Sequence, residues 1–507
     1  MRARRRVVVA IAGVALPVVA FATISGAAPA TRQRDTSHTM LKATSKTFSF
    51  GLAKVAPKAG GGEPSIAIDP KGVLYVSYPS SPGMSFYRST DDGATWAEGS
   101  IAQDASGDTS VNTDAAGKVY QSNLNGGSQP QDTLQVDIFK SLNRGQTWPV
   151  HGKSALSSSN SSGQPFFVDR QWTDAWIPPG KTTAQSEVCL SYHDWAPGTV
   201  WASCSFDGGK TYDVPVNVIN DPVALSDSAC DTIPGGTRIV QSGPHAGRIY
   251  VAWLAADPAN PATGCNETQG TAFHSVWIAV SDDKGQTWTD RLAFDAGPTH
   301  DGSEIFADLA LDNRGNPYIA FTMNLTNDQD PNGEYDTWVV SSTNGGVSWN
   351  GTTGGAAEPY RVSCCKGTHY FPAIAVGDPG HVVVAWLHTW TVTPALPTGK
   401  PDFTAQQNAI WRVVAAQTTN LSTGHPTWKI REFQRPMHQG SICTLGIACP
   451  PGITDRSLLD FIDVQVDPSG FAHVVFTASE SPRGGLPNGI WIWNQRTGPG
   501  VGVGAHS

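Results

Sequence analysis

Ser89-Thr-Asp91-Asp-Gly93-Ala-Thr95-Trp96 decides the fold of this chain, because the sequence spells the same octet four more times. The further copies are Ser141-Leu-Asn143-Arg-Gly145-Gln-Thr147-Trp148, Ser205-Phe-Asp207-Gly-Gly209-Lys-Thr211-Tyr212, Ser281-Asp-Asp283-Lys-Gly285-Gln-Thr287-Trp288 and Ser342-Thr-Asn344-Gly-Gly346-Val-Ser348-Trp349. A spaced repeat fixes the architecture before any other signal. The residue types suit a turn. Asp or Asn at the third place accepts from nearby backbone N–H groups. Gly at the fifth takes a positive φ, and the terminal aromatic packs its ring on the sheet. Five equivalent catalytic sites would be needed for a chemical reading, so Asp91, Asn143, Asp207, Asp283 and Asn344 are assigned structural roles.

A second pattern precedes each octet. Ser65-Ile-Ala-Ile-Asp69-Pro-Lys-Gly72-Val-Leu-Tyr75-Val-Ser-Tyr78 reads as a β-hairpin with a short Gly turn. The shape returns at Asp114–Gly117, Asp312–Gly315, Asp378–Gly380 and Asp467–Gly470, and with longer turns over 169–194 and 236–254. A third strand then leads into the octet, which turns the chain into a fourth. Sequential four-stranded antiparallel sheets with one turn motif each describe an all-β propeller. Hairpins opening near 63, 108, 169, 231, 304, 369 and 460 give seven blades, with six as the alternative if one unit is an excursion. The sixth unit has a damaged octet from Thr418 to Trp428. The seventh has only three strands, and Thr47–Phe50 is the spare strand that would close it and remove an exposed edge.

Ahead of the repeats, Arg2, Arg4, Arg5 and Arg6 precede an apolar stretch, Val7–Ile24, and a small-residue site, Ala28-Pro-Ala30. This reads as a secretory signal over residues 1–30, followed by a flexible linker over 31–45. A single propeller is expected over 46–498, with a disordered tail over 499–507. The protein is expected to be extracellular and monomeric, with no stable membrane insertion. The leader holds four arginines and no acid, so without it the net charge falls from −9 to −13. Such an acidic chain is a poor partner for nucleic acid. Eight cysteines fit an oxidising compartment. Cys189 and Cys204 face each other if their strands pair, and Cys230 with Cys265 is a plausible bridge within the next unit. For Cys364, Cys365, Cys443 and Cys449, cross pairing, a vicinal bridge and a zinc site stay open, though paired C-x2-4-C spacing is missing.

The octet resembles the Asp-box, or bacterial neuraminidase repeat, of the sialidase superfamily, in spaced copies from 63 to about 430. The resemblance implies a propeller with these boxes at the blade periphery, away from the site. It also implies action on or binding of glycans, or a related binding protein without catalysis that recognises a protein or polysaccharide at its channel mouth. Family members hold a sugar carboxylate with three arginines and use a Tyr–Glu nucleophile with an Asp acid/base. On that pattern Glu304, Tyr370 and Asp308 are the expected catalytic residues of a glycoside hydrolase. The family's Phe/Tyr-Arg-Ile-Pro arginine is absent, since Gly62-Glu63-Pro64-Ser65-Ile66 stands in its place.

Starts of innermost strands line the mouth of a propeller's channel, where a binding site is expected. Glu63, Asp108, Asp169, Arg170, Trp172, His369 and Asp460 are therefore the expected substrate contacts, with Asp231 beside them and Arg170 as the anion contact. Trp172, Trp176, Trp195 and Trp201 are candidates to stack on sugars or to pack the core. His245, His300 and His388 stand alone with no ligand spacing. Neither a nucleophile elbow, a zincin helix motif nor a P-loop occurs. No cofactor is expected; structural calcium in the Asp-rich turns is the alternative to ordinary Asp-x-x-Gly turns.

Overall fold

A computed structural model describes residues 48–56, 61–80, 84–99, 108–125, 135–153, 168–194, 198–259, 262–266, 270–303, 305–350, 358–449 and 455–502. They form seven antiparallel blades of four main strands each, consecutive from the centre outward in blades 1 to 6. The innermost strands are Ser65–Ile68, Thr109–Thr113, Val168–Trp176, Asp231–Ile239, Asp308–Leu311, Thr368–Val376 and Asp463–Val466, in blades 1 to 7. Each touches the next, and the seventh touches the first. The ring is closed by Ser49–Lys54, which pairs with Gly489–Thr497 as the outer strand of blade 7. The spare N-terminal segment thus serves as the missing fourth strand, beginning at Ser49 rather than Thr47. Blade 6 carries one addition, His438–Gln439, paired with Ile410–Thr418.

The octets are the turns from third to fourth strand. In the first, Gly93 N and Ser89 Oγ lie 2.9 Å apart, Thr95 N donates to Asp91 Oδ1 at 2.9 Å, and Trp96 Nε1 donates to the Gly93 carbonyl at 3.1 Å. The Thr95 hydroxyl, the Thr95 N–H and the Ser89 hydroxyl, all on its oxygens, hold the exposed Asp91 carboxyl down at about 2. The same Ser–Gly and Asp/Asn–Thr/Ser bonds recur in the other four copies. Gly93, Gly145, Gly209, Gly285 and Gly346 all sit at positive φ, between 72° and 89°. Even the damaged octet keeps its central bond, from Thr427 N to Asn420 Oδ1 at 3.0 Å, around a looser bend.

Octets also fasten one blade to the next. Arg88 of blade 1 donates to the Arg144 carbonyl of the second octet at 3.3 Å, Lys140 of blade 2 to the Gly208 carbonyl of the third at 3.3 Å, and Arg291 of blade 4 to the Gly345 carbonyl of the fifth. Arg496 of blade 7 pairs with Asp92 of the first octet. The Asp-x-x-Gly turns lie at the same end and bind their own backbone. Asp69 Oδ1 accepts from Lys71 N and Val73 N at 2.8 and 3.0 Å, and its Oδ2 takes the Tyr75 hydroxyl at 3.1 Å.

Packing between blades supplies the core. Trp253, Trp338, Trp349, Trp386 and Trp411 are fully buried. Burial of each large aromatic is worth roughly 1.5–3 kcal/mol. All eight cysteines pair: Cys189–Cys204, Cys230–Cys265, Cys364–Cys365 and Cys443–Cys449. Among the described residues no helix is long and apolar enough to cross a membrane.

The first four residues of the expected tail, 499–502, are instead held in place. Val501 is buried, accepts from Asp378 N at 2.8 Å and donates to the Gly470 carbonyl at 2.9 Å, which ties 499–502 between blades 6 and 7. The expected leader (1–30), linker (31–45) and residues 503–507 lie outside the described residues, as do Glu304 and Trp195.

Candidate functional site

Antiparallel blades put both kinds of Asp turn at one end of the channel and the starts of the innermost strands at the other. At that second end the backbone is bent out of its relaxed form. Glu63, Arg170, Ser303, Phe371 and Leu459 all have positive φ, at 46°, 34°, 56°, 59° and 59°. Each such residue costs of order 1–3 kcal/mol, and strain of this kind gathers where a site must be held in shape. Bulges accompany it at Asp169/Gln171, Pro234/Thr237 and Tyr370/Ala373.

The bulge at Arg170 aims its side chain into the centre. The guanidinium carbon lies 4.3 Å from the Trp172 ring and 4.1 Å from the Phe461 ring, with Phe306 at 6.0 Å. A guanidinium over such faces is held by the ring quadrupoles. Its Nη1 stands 3.6 Å from Glu63 Oε2 and 3.8 Å from Asp108 Oδ1, and Nη2 donates to the Thr109 carbonyl at 3.3 Å. Arg170 is 1% exposed. Glu63 Oε1 takes the Asp460 N–H at 3.1 Å, which ties blade 7 to blade 1. Asp460 in turn binds Arg456 through both oxygens, at 2.8 and 2.5 Å.

Burial, with Asp108 and Asp460 close by, pushes the Glu63 carboxyl well above the usual range, although Arg170 pulls it down. Burial also lifts Asp108, to about 6, again against the pull of Arg170. On the other side Asp169 Oδ2 lies 3.6 Å from His193 Nε2, and Asp231 Oδ1 3.9 Å from His193 Nδ1. Burial would lower His193, but these two acids outweigh it and raise it above the ordinary histidine value.

Deeper in the channel, side chains of one innermost strand take the N–H groups of the next. Asp463 Oδ2 accepts from Ile66 N at 2.8 Å, Asp174 Oδ2 from Ile239 N at 2.6 Å, and Asp308 Oδ2 from Ile374 N at 2.7 Å. Arg238 approaches Asp308 to 3.9 Å. Burial lifts Asp308 to about 7 and Asp463 to about 6. Asp308, expected as an acid/base, therefore stands in the channel wall as a bond between blades 5 and 6. A narrow cavity of about 30 Å³ lies here, walled by Trp172, Phe306, Phe461, Arg238, Asp308 and Asp463.

The structure thus brings Glu63, Asp108, Asp169, Arg170, Trp172, Asp231 and Asp460 together at one mouth. It turns Tyr370 and His369 away. Tyr370 is fully buried, stacks on Trp411 at 5.4 Å and receives Gln406 Nε2 on its hydroxyl at 3.1 Å. His369 is likewise buried, with Nδ1 2.9 Å from Asp336 Oδ1. His388, read as standing alone, stacks on His369 with ring centres 4.8 Å apart. Phe306, Phe461, His193 and Arg238 are the mouth and channel residues that the sequence reading missed. Phe461 directly follows Asp460, so the strand-start rule that found Asp460 was one residue short of it.

No protein-family model matches the chain. Among solved structures it is similar to an ulvan lyase, a polysaccharide lyase bound to -[GlcA(1-4)Rha3S]-, at 13% identity over 90% of this chain and 97% of that one, with a TM-score of 0.48. It is similar to the intramolecular trans-sialidase from Ruminococcus gnavus in complex with oseltamivir carboxylate, at 12% identity over 86% and 94%, TM-score 0.41. A protein of unknown function from Dyadobacter fermentans matches at 12% identity over 89% and 99%, TM-score 0.44.

Proposed function

We propose that this protein is an extracellular glycan-binding propeller that uses the mouth at the innermost-strand starts as its contact face and does not hydrolyse sialosides. One observation carries the reading: the central guanidinium is sealed from solvent. Arg170 is 1% exposed beneath Trp172, Phe461, Glu63 and Asp108, so a sugar carboxylate cannot reach it, even though its Nε and Nη1 make no hydrogen bond. The burial of Tyr370 supports the same conclusion, because a nucleophile must reach the anomeric carbon.

What remains accessible suits a neutral sugar. Asp169, the Arg456–Asp460 pair and half-buried Trp172 and Phe306 supply hydroxyl partners and apolar ring surface. A pocket of about 350 Å³ opens beside Arg456, lined also by Leu459, Ser479 and Asn488. Four disulfides support an oxidising, extracellular location.

A hydrolase is the second reading, favoured by the facing carboxyls of Glu63 and Asp108, both raised by burial. Incubation with a fluorogenic sialoside and a panel of neutral aryl glycosides tests the two. No release of fluorophore, with retention of a neutral glycan on the same protein, is expected. Sialoside turnover that disappears in Tyr370→Phe would overturn the proposal.

A further inference from the structure

His369 and His388 are cross-strand partners on the two inner strands of blade 6. Their rings are nearly parallel, 5° apart, and both are buried. Each gives one nitrogen to a carboxylate: His369 Nδ1 meets Asp336 Oδ1 at 2.9 Å and His388 Nδ1 meets Glu432 Oε1 at 3.2 Å. Asp336 is itself fixed by Arg361 and by the Ser363 hydroxyl, each at 2.6 Å. The opposite nitrogens are poorly served. His369 Nε2 has no hydrogen-bond partner although the ring is wholly buried. His388 Nε2 has only a long contact, 3.5 Å, to the Lys366 carbonyl.

A third group points at the same place. Cys365 Sγ and one nitrogen of each ring all lie within 4.8 Å of one another. Cys364 is exposed and Cys365 half-buried, so a reductant in solvent can reach their bond. Gly367, at φ +136°, keeps the space open, since a Cβ there would come within 3.1 Å of His388 Nε2. A histidine that gives Nδ1 to a carboxylate and keeps Nε2 free is arranged as metal-binding histidines are.

We propose that Cys365, His369 and His388 form a redox-gated site for zinc, or another borderline-to-soft ion, that becomes available when the Cys364–Cys365 bond is reduced. The reductant is a dithiol. Its two sulfurs become a disulfide, the Cys364–Cys365 bond breaks, and each cysteine gains a proton. On binding, the Cys365 thiol gives its proton to water and its thiolate becomes the third ligand beside the two imidazoles. Zinc bonds of about 2.3 Å to sulfur and 2.0–2.1 Å to nitrogen require the three atoms to draw together by roughly 1 Å from their outer limit. A fourth position is left to solvent. Thiolate with imidazole selects zinc or cuprous ion over magnesium or calcium.

Two variants separate this site from a structural histidine pair. Cys364→Ser and Cys365→Ser both remove the same disulfide and leave the other three intact, so each controls the other for folding. Equilibrium dialysis of the full chain against Zn2+, without reductant, is expected to load about one ion on Cys364→Ser. Cys365→Ser and the oxidised wild type should load none. Glu432→Gln, placed on Cys364→Ser, should weaken binding by roughly 10–100-fold. Cobalt in Cys364→Ser should show a thiolate charge-transfer band. A Cys364→Ser protein that takes up no zinc overturns the proposal, and so does uptake that survives in Cys365→Ser.

Discussion

Arg170→Met tests the physics of the mouth. Methionine keeps an apolar stem between Trp172 and Phe461 but removes the charge that stands 3.6 Å from Glu63 and 3.8 Å from Asp108. Glu63 is 4% exposed and Asp108 18% at the side chain, so neither recovers full hydration. Taking one partner from a buried pair costs about 3–5 kcal/mol. The loss should depend on pH. An acid raised in the folded state binds its proton more tightly there than in the unfolded chain, so stability rises as pH falls through the folded value. Asp108 moves from 3.8 to about 6, which is worth roughly 3 kcal/mol between neutral and acid pH. In the variant the lowering influence of Arg170 is gone, so both acids rise further and acidification relieves more. Chemical unfolding followed by Trp fluorescence should give a deficit of about 3–5 kcal/mol at pH 8, shrinking to roughly 1–2 kcal/mol at pH 5. A deficit below about 1 kcal/mol at pH 8, or one equal at both pH values, would mean that the Arg170 charge does not hold these two acids.

Three further outcomes follow from the blades. Ser205→Ala removes the hydroxyl that meets buried Gly209 N at 3.0 Å and Asp207 Oδ1 at 2.8 Å, and should cost about 1–3 kcal/mol in denaturant unfolding. Gly145→Ala puts a Cβ 2.3 Å from the Phe86 ring at φ +72°, and should lower stability by roughly 1–3 kcal/mol in the same assay. Deletion through Lys54 strips the outer strand from Gly489–Thr497, and should yield a chain that self-associates in light scattering through the bared edge; a monomeric, fully stable product would contradict the closure.

The blade count was readable because blades 1 to 5 each carry an intact octet, while blades 6 and 7 keep the Asp–Gly hairpin turns at Asp378–Gly380 and Asp467–Gly470. Counting strands picks out Thr47–Phe50, and the strand itself runs Ser49–Lys54 because nothing local marks where an outer strand begins or ends. The mouth was legible as a place, for a strand start must lie at a channel end. Which way a side chain points there was not. At Tyr370 the bulge at Phe371, φ 59°, interrupts the pairing next to it and leaves the tyrosine in the core. His388 looked isolated because its partners, His369 and Glu432, lie 19 and 44 residues away along the chain and meet it only across the sheet.

The mouth is proposed to bind a neutral glycan without cleaving it. The most direct measurement is calorimetric titration of a glycan retained by the wild-type protein, repeated with Trp172→Ala, with Asp169→Asn and with Ser205→Ala from the opposite end. Loss of affinity of at least tenfold is expected in the first two, about 1.4 kcal/mol or more, with the third unchanged and the recovered glycan intact. Binding equal in all four proteins, or a shortened glycan in the recovered sample, would contradict it.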